Sequence, residues 1–207
     1  MIPRVMHRIF LDEPVPSRFD AYWNGLQALH PGWEFVTWDD SNALDWLVCR
    51  TEFDQASTHA GRSDVLRYEI LARHGGVYVD TDVEGLRPFD ELLDGTPFAG
   101  WEDDNMICPT VMGAEAGHPA ITELLDNLPR WVARYRHQPP NRQTGPYFLT
   151  RYWRWRPDVR LFPSVTFYPV GWWEKSRLGG PYPEESYTVH HWSASWLKDG
   201  PPQKERP

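Results

Sequence analysis

Asp80 and Asp82 flank Thr81 and place two carboxylates on alternate residues of one short segment. Side chains at i and i+2 of an extended chain project the same way. The pair is therefore expected to make a hard-oxygen site suited to Mg²⁺ or Mn²⁺. Two facing carboxylates repel one another unless a cation lies between them. A D-x-D triplet is a weak signal alone, because many such triplets are solvated loop acids; its surroundings carry the weight. Upstream, Asp64 and Arg67 stand three residues apart, a spacing that shares one helix face. They read either as a surface intrahelical pair or as a functional pair, with Arg67 meeting phosphate or hydroxyl oxygens while Asp64 orders the same ligand. Near the C-terminus runs His190-His191-Trp192-Ser193-Ala194-Ser195-Trp196. An imidazole and a hydroxyl there would complete an octahedral shell begun by the carboxylates, and Trp196 would stack on a ring. The alternative is an aromatic terminal segment packed on the core.

The elements around these residues read as alternating strand and helix. Residues 2–11 suit a first strand, 20–29 a helix stopped by His30-Pro31-Gly32, and 33–38 a second strand. Residues 39–49 read as one helix, with Asp39, Asp40 or Ser41 as its N-cap. A helix over 57–74 has Val65, Tyr68 and Ala72 on one apolar line and Leu66 and Ile70 on another. Gly75-Gly76 ends it and lets it pack against the strand 77–80, which delivers Asp80 to the strand's end. Further elements are expected at 89–93 (helix), 96–101 and 106–114 (strands) and 119–135 (helix, with a kink at Pro129); from Gln138 onward the Pro-, Trp- and Arg-rich sequence reads as loop. This order specifies an α/β fold with parallel strands, in which ligands gather beyond the strand ends. No repeat or long linker divides the chain, so residues 1–207 are expected to form a single domain.

Composition narrows the function. A net charge of −8 excludes broad binding to a nucleic-acid backbone, though a metal ion would still admit a small anionic substrate. Twelve Trp, nine Tyr and nine Phe supply core bulk and stacking surfaces; Trp23, Trp33, Trp38 and Trp46 read as structural. Cys49 and Cys108 form no C-x-x-C and no disulfide framework. A cytoplasmic setting is expected, with neither signal peptide nor membrane-spanning segment and peripheral membrane contact left open.

Taken together, the blocks resemble the DXD-containing sugar transferases of glycosyltransferase family 32, which are similar to the fungal initiating mannosyltransferases and more distantly to the clostridial glucosylating toxins. The resemblance rests on Ile2-Pro3-Arg4-Val5-Met6-His7, on residues 33–40, on Ser63-Asp64-Val65-Leu66-Arg67-Tyr68 followed by residues 75–82, on Thr144-Gly145-Pro146, and on residues 190–196. It implies a GT-A fold, a Rossmann-like nucleotide-binding sheet with the DXD at its edge, and metal-dependent transfer of a sugar, with retention of configuration, from a UDP- or GDP-sugar to a glycan or small-molecule acceptor. It assigns Asp82 to the metal and Asp80 to the metal or the donor. Asp64 and Arg67 go to the donor sugar and diphosphate, His7 to the donor, and His190, rather than His191, to the third protein ligand position. Ser195 and Trp196 would close over the diphosphate. Asp64, Arg67 and Asp80 form the expected catalytic set. Arg8 and Phe10 depart from the Gln and Trp usual after the family's His, and Pro109 or Thr110 stands where Asn is common.

Glu102, Asp103 and Asp104 are the carboxylates to test for a double displacement. The competing readings are a metal-dependent hydrolase of nucleotide sugars or phosphate esters, a non-catalytic carbohydrate-binding protein, and a toxin-like transferase acting on protein.

Overall fold

A computed structural model describes residues 1–11 and 15–193. Its strands are β1 (Val5–Ile9), β2 (Glu34–Trp38), β3 (Gly76–Val79), β4 (Val83–Gly85), β5 (Phe98–Trp101), β6 (Ile107–Ala114), β7 (Arg160–Phe162) and β8 (Thr188–His190). The helices are α1 (Ser17–Leu29), α2 (Asp40–Ala43), α3 (Arg50–Gln55), α4 (His59–His74), α5 (Pro119–Tyr135), α6 (Pro140–Gln143), α7 (Pro146–Trp153) and α8 (Ser164–Phe167). Six strands form one sheet in the order β2-β1-β3-β6-β5-β7, while β4 and β8 make a separate antiparallel pair. Strands β2, β1 and β3 run parallel, and β6 runs against both β3 and β5. The expected α/β architecture is present, with the antiparallel β6 inserted beside the DXD strand.

Both faces of the sheet are covered. On one, Tyr68 and Leu71 of α4, Leu124 and Leu128 of α5 and Trp153 of α7 pack with Tyr78 and Met112. On the other, Trp23 and Leu26 of α1 pack with Met6, Val77, Val79 and Phe167. Trp23, Trp33 and Trp38 are buried and Trp46 packs on the core, as their structural reading required. Helix α4 is capped by the Thr58 hydroxyl, which accepts from the Gly61 amide at 3.1 Å. It ends at Gly75, whose φ is +65°. A Cβ at Gly76 would stand 2.5 Å from the Val5 carbonyl oxygen; only glycine allows α4 to turn so closely into β3.

Three expectations are corrected. Residues 39–49 are not one helix. Asp39 and Asn42 close a capping box around the single turn α2, a 3₁₀ turn follows at Leu44–Trp46, and the Cys49 amide donates to the Glu69 carboxylate at 2.5 Å. The segment after Gln138 is not mainly loop. Pro140 and Pro146 occupy first helical turns, where the missing N–H costs nothing, and α7 buries Trp153, whose indole donates to the Ala120 carbonyl at 3.0 Å. The stretch 89–93 forms only a 3₁₀ turn at Asp90–Leu92. Pro109 lies inside β6, which a proline cannot join as a donor. The β5–β6 register shifts there, from Ala99↔Met112 to Gly100↔Cys108, and leaves 109–111 unpaired with β5.

Candidate active site

The site forms where α4, the end of β3 and the end of β8 meet. Asp64 and Arg67 are both buried, so their pairing is not a surface feature. The Arg67 guanidinium lies 3.1 Å from the Asp64 carboxylate and 3.0 Å from that of Asp80. It also sits over the Tyr78 ring, 4.6 Å from the centroid. The Tyr78 hydroxyl donates to Asp80 Oδ1 at 2.6 Å, and the Thr144 hydroxyl donates to Asp64 Oδ2 at 2.8 Å. Burial pushes the Asp64 carboxyl up to about 6, against the pull of Arg67 and Thr144. Burial alone would lower the Arg67 pKa, but Asp80, Tyr78 and Asp64 raise it well above its ordinary value. Arg67 is thus a permanently charged, fixed group with one carboxylate on either side.

Asp80 and Asp82 converge by a route different from the expected extended alternation. The strand ends at Val79, and the Val83 amide donates back to the Asp80 carbonyl at 3.2 Å, closing a tight turn. Pairing of β4 with β8 then brings His190 opposite Val83. His190 Nε2 donates to Asp82 Oδ1 at 3.0 Å, and the Ser193 amide donates to Asp82 Oδ2 at 2.7 Å. Burial opposes ionisation of Asp82, but His190 and Ser193 hold its carboxyl well below the usual range. Burial likewise opposes charge on His190, yet Asp82, with Asp80 and Glu102, raises its pKa.

Ligand atoms of Asp80, Asp82 and His190 lie within 4.8 Å of one another. His190 Nδ1 is buried with no hydrogen-bond partner among the described residues. Two carboxylates and an imidazole with one unsatisfied buried nitrogen suit a divalent cation.

Five of the sequence-derived residues come together here: Asp64, Arg67, Asp80, Asp82 and His190. His191 goes elsewhere; its ring donates to Glu84 at 2.8 Å and stacks on Tyr22 at 4.4 Å. His7 makes its hydrogen bonds away from this cluster. Its Nε2–H donates to the Gly75 carbonyl at 2.8 Å, its Nδ1 accepts from the Trp38 indole at 3.1 Å, and the ring is 1% exposed. Burial lowers its pKa to about 4, so it is a neutral structural bridge between β1, β2 and the α4–β3 turn. Ser195 and Trp196 lie outside the described residues. Of the acidic loop, Glu102 is near enough to His190 to bear on its charge. Asp103 is spent on the turn, accepting from the Asn105 and Met106 amides at 2.7 and 3.0 Å. Tyr78 and Thr144 were not identified from sequence as site residues. Tyr78 reads as strand filler, and Thr144 lies 80 positions from the carboxylate it supports.

Fold comparison defines the class. The chain superposes on the PaToxG glycosyltransferase with a TM-score of 0.63 at 14% identity, covering 73% of this chain and 68% of that one. It also matches the UDP-bound glycosyltransferase domain of the YGT toxin with a TM-score of 0.55 at 10% identity, over 77% and 79% of the two chains. This is the GT-A glycosyltransferase fold.

Sequence comparison agrees with the fold. Residues 16–99 match the glycosyltransferase sugar-binding region containing DXD motif. Inositol phosphoceramide mannosyltransferase 3 of Schizosaccharomyces pombe is 30% identical over 93% of this chain and 60% of its own length. Mannosyl phosphorylinositol ceramide synthase of Saccharomyces cerevisiae is 28% identical over 75% of this chain and 44% of its own length. An uncharacterized glycosyltransferase of Acanthamoeba polyphaga mimivirus is 24% identical, over 95% and 84%. The chain thus spans about half the length of the fungal relatives it matches.

Proposed function

We propose that the protein transfers a sugar from a nucleotide-sugar donor to a hydroxyl acceptor, with retention of anomeric configuration and with Mn²⁺ or Mg²⁺ as cofactor. The observation that carries this reading is the continuous Asp64–Arg67–Asp80 ion network beside the Asp82–His190 pair, all at the end of a strand in a GT-A sheet. Asp80, Asp82 and His190 would hold the cation, which when bound supplies positive charge to the donor diphosphate. Arg67, fixed between two carboxylates, stands ready to stabilise negative charge on the leaving diphosphate without reorganising. Asp64, held by Thr144, orients sugar hydroxyls. Tyr78 keeps Asp80 in place. None of these groups needs to act as a nucleophile, which favours front-face attack by the acceptor over a double displacement.

The names of the fungal relatives make mannosyl donors the first to try, with inositol-bearing lipids as acceptors; the UDP in the toxin domain keeps UDP-sugars in the panel. Thermal-shift titration with GDP- and UDP-sugars, with and without Mn²⁺, tests the donor side. A donor at a hundredfold excess over Kd stabilises by about 2.7 kcal/mol. A metal-dependent shift with one nucleotide class, lost in Asp82→Ala, is expected. No shift with any nucleotide in the presence of metal refutes the assignment, and release of free sugar at the full rate without acceptor replaces transfer with hydrolysis.

A further inference from the structure

We propose that the surface built by the second half of α5 together with α6 and α7 docks on an anionic membrane. Residues 130–156 contain seven Arg and no Asp or Glu, leaving 14 basic against 29 acidic residues in the rest of the chain. Charge is therefore segregated, and the acidic remainder repels the surface that these arginines attract. Favourable charge at one helix C-terminus would account for a single turn, not for cations spread over three helices. Arg130, Arg134, Arg142 and Arg151 are all exposed, and none forms an ion pair with a carboxylate among the described residues. Arg142 instead lies over the Tyr147 ring, 4.7 Å from its centroid.

The aromatic partners favour a bilayer over a soluble polyanion. Only four large apolar side chains are exposed among the described residues, and two fall in this segment: Trp155 at 83% and Tyr147 at 41%. Large rings with one polar end are most stable at the membrane–water boundary, beside arginines that meet lipid phosphates. The remaining faces of these helices are held down by the core. Val132 and Leu128 of α5 and Phe148 and Leu149 of α7 are buried, so the arginine side is the one presented outward. The same segment also reaches the site. Thr144, which follows α6, donates to Asp64 and accepts from the Tyr68 hydroxyl at 2.9 Å. Docking here would set the candidate active site beside the lipid surface. This deepens the transferase reading by naming a membrane-borne acceptor, and it rests on that reading for the meaning of the neighbouring site.

The test is vesicle flotation of the full chain with phosphatidylcholine alone and with phosphatidylcholine containing phosphatidylserine. Binding only to the anionic vesicles, weakening as salt rises, is expected. In Arg130→Glu/Arg134→Glu/Arg151→Glu it should fall by well over a hundredfold, since losing each arginine near such a surface costs roughly a factor of five and the added carboxylates repel it. The milder Arg→Gln triple should fall less, and Trp155→Ser severalfold. Thermal midpoint and donor-induced shift should be unchanged in all of them. The proposal is overturned by absence of binding to anionic vesicles at low salt, by charge-reversed protein that binds as well as wild type, or by retention on heparin that equals vesicle binding and ignores Trp155→Ser. Vesicle binding without any donor shift would sink the transferase reading while leaving membrane docking intact.

Discussion

Replacing Asp64 with asparagine should make the protein more stable and less active at once. The side chain is buried, and burial raises its pKa from 3.8 to about 6 even though Arg67 stands 3.1 Å away. Folding therefore holds the proton more tightly than the unfolded chain does. Below about pH 3 the carboxyl is mostly protonated in both states, and Asp and Asn differ little. Above about pH 7 it is mostly ionised in both, and the folded state bears the full cost of the buried charge. The difference between 3.8 and about 6 corresponds to about 3 kcal/mol. Asparagine retains the acceptor for the Thr144 hydroxyl and carries no charge. In urea unfolding, the stability of Asp64→Asn relative to wild type should therefore rise by about 2 kcal/mol between pH 4 and pH 7, most of the full difference. Over the same range, the variant's transfer activity should lie about a hundredfold or more below wild type, because the carboxylate proposed to orient the sugar loses its charge. A stability difference that is flat with pH, or that favours wild type more strongly at pH 7 than at pH 4, would refute the argument that desolvation dominates at Asp64.

Other consequences follow from neighbouring groups. His7 titrates at about 4 when folded against 6.5 ordinarily, so its contribution is complete above pH 6.5 and is lost as pH falls toward 4. His7→Gln should flatten the acid limb of the stability curve by about 3 kcal/mol, measured by denaturant melts across that window. Tyr78→Phe removes the hydroxyl that donates to Asp80 at 2.6 Å. A roughly tenfold to hundredfold loss of kcat at little cost in melting temperature is expected, as for loss of a group that orients a ligand-bearing carboxylate; an unchanged kcat would count against a positioning role. Trp153→Ala, which empties a fully buried site and removes the indole N–H donated to the Ala120 carbonyl, should cost about 3–5 kcal/mol by chemical denaturation.

Much of the scaffold was readable from local pattern. The 57–74 periodicity and the Gly75-Gly76 stop located α4 and β3 to within two residues, because an amphipathic helix and a glycine cap are properties of neighbouring residues. The Asp64–Arg67 and Asp80–Asp82 spacings marked the chemistry for the same reason. Reading failed where prolines and polar caps were taken at face value. Pro140 and Pro146 begin helices, and Asp39 closes a turn that goes no further.

Only the folded chain could decide which of these residues face one another. Sequence left Asp64 and Arg67 as either a surface pair or a functional one; packing of α4 against the sheet and α5 buried them, and burial is what raises the Asp64 pKa. Sequence offered His190 and His191 side by side. The antiparallel pairing of β4 with β8 sends their side chains to different partners, one to Asp82 and the other to Glu84. His7 carried the right residue type in the right block, yet the fold consumes both its nitrogens. Residue type and short spacing determine what chemistry is available. Contacts such as Thr144 to Asp64 or His190 to Asp82, about 80 and 108 positions apart, depend on strand register and helix packing, and no local pattern encodes those.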